Sequence, residues 1–199
     1  MATARLKRCS WCGDSELYCA YHDNEWGVPV SEDIKLFEFL ILEGAQAGLS
    51  WITVLKKRMN YFEAFEGFDP SRVAKFSSRK IESLMKNPGI IRNRLKLNSA
   101  VRNAKVFLKI QDEFGGFAPY QWAFVENKPL QNKVRSSKDL PATSKVSDAF
   151  SKDLKKRGMN FVGSTILYAH MQAVGMVNDH AADCFRYKAV KALGREFQL

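Results

Sequence analysis

From residue 31 to residue 175 the apolar positions recur at helical spacing, and capping residues, prolines and glycines punctuate them. A first helix is predicted after Ser31, a suitable N-cap with Glu32 and Asp33 in the first turn. A second starts after Ser50 and carries Trp51, Val54, Leu55, Phe62 and Phe65 at helical spacing. Asp69-Pro70 opens a third, with the proline at the first helical position. Residues 79–86 form a short helix stopped by Asn87-Pro88-Gly89. A long basic helix with Ile91, Leu95, Val101 and Phe107 runs from residue 90 to about residue 113, and Gly115-Gly116 ends it. Residues 120–126 form another helix, while 127–146, polar and broken by Pro129 and Pro141, read as a loop. Ser147 caps a helix ending in Lys155, Lys156, Arg157 and Gly158; after Phe161-Val162-Gly163 comes a helix over Ser164–Ala173, closed by Gly175. The last helical stretch surrounds residues 180–184 and leads into a basic tail. Residues 1–30 lack helical periodicity and are dense in Cys, Trp, Tyr and His. No alternating β pattern emerges, so the expected fold class is all-α.

Composition narrows the class. At 199 residues and 46% hydrophobic the chain can bury one core, and its 26% charged content is ordinary for a globular protein. The formal net charge of +10 favours an anionic partner, nucleic acid before a membrane surface. There is no apolar run of about eighteen residues to span a membrane, and the N-terminus lacks the apolar core of a signal peptide. The expectation is a cytoplasmic protein in which Cys9, Cys12, Cys19 and Cys184 form no structural disulfides. Metal ligation or simple burial then explains them.

Three places carry candidate chemistry. Residues 36–58 hold two carboxylates, Glu38 and Glu43, in an apolar run, followed by a small, flexible turn and Trp51. An acid in apolar surroundings beside an aromatic has a perturbed pKa and is a site candidate, although a core helix followed by a corner reads the same way. The segment LKKRGMNFVGSTILYAHMQAVG reads as helix, glycine-containing turn, helix. Backbone N–H groups at the start of its second helix can hold a phosphate without reading sequence, with Lys155, Lys156 and Arg157 nearby. His180 and Cys184 are four apart, as on one helix face; with Cys9 and His22 they would close a Cys2His2 zinc site tying the N-terminus to the last helix. Cys9-x-x-Cys12 is the rival spacing, and buried thiols with a core histidine the plain alternative. Trp11, Tyr18, Tyr21, Trp26 and Trp51 could stack on an unpaired base, or simply pack in the core.

Taken together, these pieces resemble the 3-methyladenine DNA glycosylase I family of bacterial alkylation-repair enzymes. RCSWCGDSELYCAYHDNEWGVP, LFEFLILEGAQAGLSWITVLKKR, NPGIIRNRLKL and LKKRGMNFVGSTILYAHMQAVGMVNDHAADC match its blocks in order, over residues 8 to about 187. The resemblance implies a helix-hairpin-helix glycosylase fold in one domain, residues 1–187. Its zinc-binding ends would be 8–30 and 176–187, its hairpin about 155–175, and 188–199 a basic tail. It implies structural zinc on Cys9, His22, His180 and Cys184. It implies a base pocket of Trp11, Tyr18, Tyr21 and Trp51, with Glu43, rather than Glu38, as the catalytic acid reading the base edge. Leu49 would wedge into the gap left by a flipped base, and Gly163, Ser164 and Thr165 would contact the DNA backbone. Implied partners are double-stranded DNA with alkylated bases and free 3-methyladenine as product, the protein acting as a monomer. The implied reaction is hydrolysis of the N-glycosidic bond of 3-methyladenine without strand cleavage. The alternative is a zinc-stabilised, non-catalytic helix-hairpin-helix DNA-binding module. Departures are Cys12 and Cys19 at positions expected to be non-ligand, Ala45 where some members carry a polar residue, and the tail. Asp179 is one residue away from where the wider superfamily keeps a water-activating aspartate, and is assigned no catalytic role.

Overall fold

In a computed structural model that describes residues 6–135 and 139–199, ten α-helices and one pair of two-residue strands surround a buried central α-helix. That helix is α2 (Asp33–Gln46), in which every residue from Leu36 to Ala45 is buried. A helix apolar on all sides can only be stable inside a core. It packs against α3 (Trp51–Leu55), α7 (Arg94–Phe114), α8 (Phe117–Trp122) and α10 (Ser164–Ala173). The remaining helices are α1 (Glu16–Asn24), α4 (Arg58–Ala64), α5 (Pro70–Val73), α6 (Ser78–Lys86), α9 (Lys145–Lys156) and α11 (Phe185–Glu196). None of the helices among the described residues is long and apolar enough to cross a membrane.

The caps explain most boundaries. Asp69 accepts from Ser71 N, Ser77 from Lys80 N and Asn93 from Lys96 N, so α5, α6 and α7 start where those side chains stop the extended chain. Asn93 places the start of α7 four residues later than its apolar pattern alone predicts. Gly116 has no side chain to cap α8; Asp33 does so from α2, accepting from Phe117 N (2.8 Å) and Ala118 N (2.9 Å). With that carboxylate spent across the core, α2 begins after Glu32, not Ser31.

Several expectations need correction. Residues 1–30 are not devoid of helix: a 3-10 turn, Ser10–Cys12, precedes α1. The helix after Ser50 breaks at Lys56–Lys57 into α3 and α4, which brings Arg58 onto Glu25 and Glu38. The cap of α9 is Ser144, paired with Ser147 in a reciprocal capping box, three residues earlier than predicted. The fold is predominantly helical rather than strictly all-α. The stretch expected to be loop contains β1 (Leu130–Gln131), which pairs in parallel with β2 (Val177–Asn178). Residues 180–184 form a turn, with Cys184 as N-cap of α11, instead of a helix. The residues read as a basic tail continue α11 to Glu196, and Phe197 lies against Trp122 with ring centroids 4.3 Å apart.

The chain's two ends meet beside α10. Gly27 N donates to Gln172 O (3.0 Å) and Val30 N to Val174 O (3.1 Å). At Gly175 the backbones approach so closely that a Cβ would lie 2.4 Å from Pro29 N, and φ is +75°. Only glycine fits there.

Candidate functional site

A cavity of about 260 Å³ opens between α2, α10 and the N-terminal segment. Trp11, Tyr18, Tyr21 and Trp51, the four aromatics implied by the resemblance, all line it, and so does Trp26, the fifth aromatic singled out from the sequence. Trp11 is the hub, its ring centroid 5.0 Å from Tyr18, 6.4 Å from Tyr21 and 4.8 Å from Trp26. Tyr21 lies 5.4 Å from Trp51. The Nε1–H groups of Trp11 and Trp51 are buried without an acceptor among the described residues. An orphaned buried donor is costly, so two of them on one cavity suit a site that is completed by a ligand or by water.

The geometry separates the two carboxylates of α2. Glu38 is paired: Arg58 Nε donates to it at 2.6 Å, and Lys35 Nζ lies 2.9 Å away. The same guanidinium grips Glu25 at 2.8 and 2.7 Å. Glu43 lines the cavity, is 4% exposed, and makes no hydrogen bond or ion pair among the described residues. Burial alone pushes its carboxyl up to about 8. Burial, with Glu43 nearby, also holds the Tyr21 phenol well above the usual range. The arrangement therefore offers a nearly neutral acid, facing aromatic rings, that a cation would ionise.

Sequence reasoning missed four lining residues: Gln46, Leu140, Ala169 and Gln172. Gln46 lies three residues after Glu43 on one helix face, and Ala169 and Gln172 have the same spacing on α10. Helical periodicity could have found those three. Leu140 left no signal.

At the end of α2, Gly48 (φ +78°) turns the chain and leaves Leu49 41% exposed beside the cavity's Trp51 wall. Lys96 Nζ holds the turn by donating to Ala45 O (2.8 Å) and Ala47 O (2.7 Å), where the helix dipole favours a cation. Helices α9 and α10 pack together as a helical pair joined by a turn at residues 157–163. Gly163 is the N-cap of α10 and supplies no side-chain bond, so the first-turn amides stay uncapped by it. The Ser164 hydroxyl is already engaged by Ser147 (2.8 Å) and Asp148, while Thr165 is exposed.

Cys9, His22, His180 and Cys184 converge as expected, all buried, with their ligand atoms within 4.8 Å of one another. Cys184 Sγ stands 3.5 Å from His22 Nε2 and 3.6 Å from His180 Nδ1, and Cys9 Sγ stands 3.6 Å from His180 Nδ1. Surrounding groups orient them. His22 Nδ1 meets Asp23 (2.7 Å), itself gripped by Arg8, and His180 Nε2 meets Trp26 O (2.9 Å). Backbone N–H groups of Ala181 and Arg186 donate to the two sulfurs. Such orientation of the far ring nitrogens and the thiolates is characteristic of metal ligands, and the four residues could hold an ion. Cys12 is outside the cluster, its thiol donating to Cys9 O at 3.2 Å; Cys19 donates to Gly13 O.

Comparison with known proteins is consistent with this geometry. The methyladenine glycosylase family model matches residues 11–187. The chain is 47% identical over 186 residues to DNA-3-methyladenine glycosylase 1 of Escherichia coli strain K12, covering 94% of this chain and 100% of that protein. It is 49% identical to DNA-3-methyladenine glycosylase of Haemophilus influenzae, covering 89% and 96%. A solved structure of 3-methyladenine DNA glycosylase I from Staphylococcus aureus, described as giving the basis of 3-methyladenine recognition, superposes with a TM-score of 0.88 at 35% identity, over 92% of this chain and 97% of that one. With a family match over most of its length and relatives close to half identical, the chain belongs to the methyladenine glycosylase family.

Proposed function

We propose that this protein is a DNA base-excision repair glycosylase that hydrolyses the N-glycosidic bond of 3-methyladenine in alkylated DNA. The observation that carries the reading is Glu43, buried and unpaired on an aromatic-lined cavity and held near neutrality by burial alone. Methylation at N3 leaves the base cationic in DNA and already a good leaving group, so the protein's task is to extrude and recognise it. Glu43 ionises against that cation and accepts a hydrogen bond from the exocyclic amine. Trp11, Tyr18, Tyr21 and Trp51 offer ring faces that attract positive charge. The C1′–N9 bond then breaks with its electron pair passing to the base, which leaves neutral. Water adds to C1′ and loses a proton to solvent, giving an intact abasic strand.

Leu49, exposed on its turn, fills the space vacated by the flipped nucleotide. The α9–turn–α10 pair acts as the helix-hairpin-helix element, with the amides of Gly163, Ser164 and Thr165 on a phosphate. Because the Ser164 hydroxyl is engaged within the protein, its contribution is the backbone N–H. Cys9, His22, His180 and Cys184 would hold a zinc ion. Zn–S bonds of about 2.3 Å and Zn–N bonds of about 2.0–2.1 Å set tetrahedral S···N edges of about 3.5–3.6 Å, which supports the assignment. Four protein ligands leave no position for water, so the ion is structural. The protein acts in the cytoplasm as a monomer.

The test is base release from methylated duplex DNA, with the freed base identified chromatographically and borohydride added in parallel. Free 3-methyladenine with no trapped adduct is expected. A lyase step needs an amine nucleophile, and Gly163-Ser164-Thr165-Ile166 offers none at the start of α10. DNA binding without base release would favour a non-catalytic binding module, and a borohydride-trapped adduct would overturn the monofunctional mechanism.

A further inference from the structure

We infer that Gln172 is a second reader of the base edge, with its amide oriented by Asp179. Asp179 is 2% exposed and has no cationic partner among the described residues. Three donors converge on it: Asn132 Nδ2 at 2.7 Å, Tyr168 Oη at 2.7 Å and Gln172 Nε2 at 2.8 Å. Two of these come from α10 and the third from the segment after β1, so the carboxylate holds one helix face and one loop in register.

Gln172 is half-buried and lines the same cavity as Glu43. One N–H of its amide donates to Asp179. Turning the amide over would set its carbonyl oxygen against a carboxylate oxygen, so the flip is fixed by chemistry. That orientation leaves Oε1 as an acceptor with no hydrogen-bond partner among the described residues. Ala169, one turn earlier on α10, is small and also lines the cavity, leaving room for a planar ligand beside that oxygen.

This inference rests on the cavity binding 3-methyladenine. The exocyclic amine of that base carries two N–H bonds, and Glu43 accounts for one. A second N–H buried without an acceptor costs binding energy, and Gln172 supplies an acceptor whose orientation the protein has already set. Asp179 is a positioning residue, acting through Gln172 without touching the base.

The test compares free 3-methyladenine with 3-methylpurine, which keeps the methyl group and ring but lacks the amine. Binding is measured by titration calorimetry on zinc-loaded wild type, Gln172→Met and Asp179→Asn, with metal content and thermal melting checked for each. Gln172→Met is expected to weaken 3-methyladenine roughly tenfold and leave 3-methylpurine within about twofold. Asp179→Asn should shift the same ligand in the same direction, and the double variant should bind no more weakly than Gln172→Met alone. Equal weakening of both ligands, or unchanged 3-methyladenine affinity in Gln172→Met, overturns the inference. Wild-type protein that binds neither ligand overturns the base-binding reading itself.

Discussion

Glu43→Gln should stabilise the free protein, and the gain should depend on pH. Glutamine matches glutamate in size but cannot ionise. The native carboxyl titrates at about 8 against an ordinary value of 4.5, and burial is the cause. Below 4.5 the native and unfolded chains both hold the proton, so Glu43 costs nothing. Between 4.5 and about 8 the unfolded chain gives the proton up while the native state keeps it, so stability falls as pH rises. Above about 8 the penalty is complete. At about 1.4 kcal/mol per pH unit, that window sets a ceiling of about 5 kcal/mol, lowered to the extent that cavity water solvates the carboxylate. A gain of about 3 kcal/mol corresponds to a rise in Tm of roughly 6–12 °C for a domain of this size. Urea unfolding of both proteins at pH 5, 7 and 9, followed by circular dichroism, reads the difference directly. The variant should be matched with wild type near pH 5 and clearly more stable at pH 9. A difference that stays flat with pH, or a wild type more stable at pH 9, would show that Glu43 titrates normally and that the cavity does not desolvate it. The same variant should bind the cationic base more weakly, so stability and recognition move in opposite directions at one residue.

Freshly purified protein should contain one zinc per chain; Cys12→Ser should retain it and Cys9→Ser lose it, as measured by elemental analysis. The reverse pattern would favour the Cys9-x-x-Cys12 pairing. Leu49→Ala should weaken capture of DNA carrying an extrahelical base more than binding to undamaged duplex, read by fluorescence anisotropy; an equal loss on both would remove the wedge role.

The sequence exposed those parts of the structure whose causes are local. Asp69-Pro70 and Gly115-Gly116 mark real helix boundaries because capping and left-handed turns are decided within a few residues. The reading of residues 1–30 failed for a different reason. In α1, Leu17 is 44% exposed while Tyr21 and His22 are buried, because the cavity and the metal cluster set that helix's inner face. A pattern organised around a pocket and a cluster does not look like one organised around a core stripe. The strands are two residues long, too short to show a period. His180 and Cys184 do meet, though in a turn that supplies the proximity expected of a helix face. From periodicity Glu38 and Glu43 were equivalent, since what distinguishes them is Arg58, twenty residues away on another helix. The resemblance chose Glu43, and the pairing of Glu38 gives that choice a physical basis. Gln172 was within reach of the helical spacing on α10, but its hydrogen bond to Asp179, made between side chains, leaves no pattern in the sequence.

The way the two chain ends close on each other also sets an order in time. Trp11, Tyr18, Tyr21 and Trp26 are synthesised well before the surface they close against, from Ala169 through Cys184. At synthesis rates of about 5–20 residues per second, roughly 8 to 30 seconds separate the two. Throughout that interval the nascent chain presents unpaired aromatics and three cysteine thiols, Cys9, Cys12 and Cys19, with neither the cavity nor the ligand cluster yet assembled. Chaperone occupancy and premature thiol chemistry therefore bear on the N-terminal segment first. A chain cut short before residue 184 cannot complete the cluster, and one cut before residue 169 also lacks the far wall of the cavity.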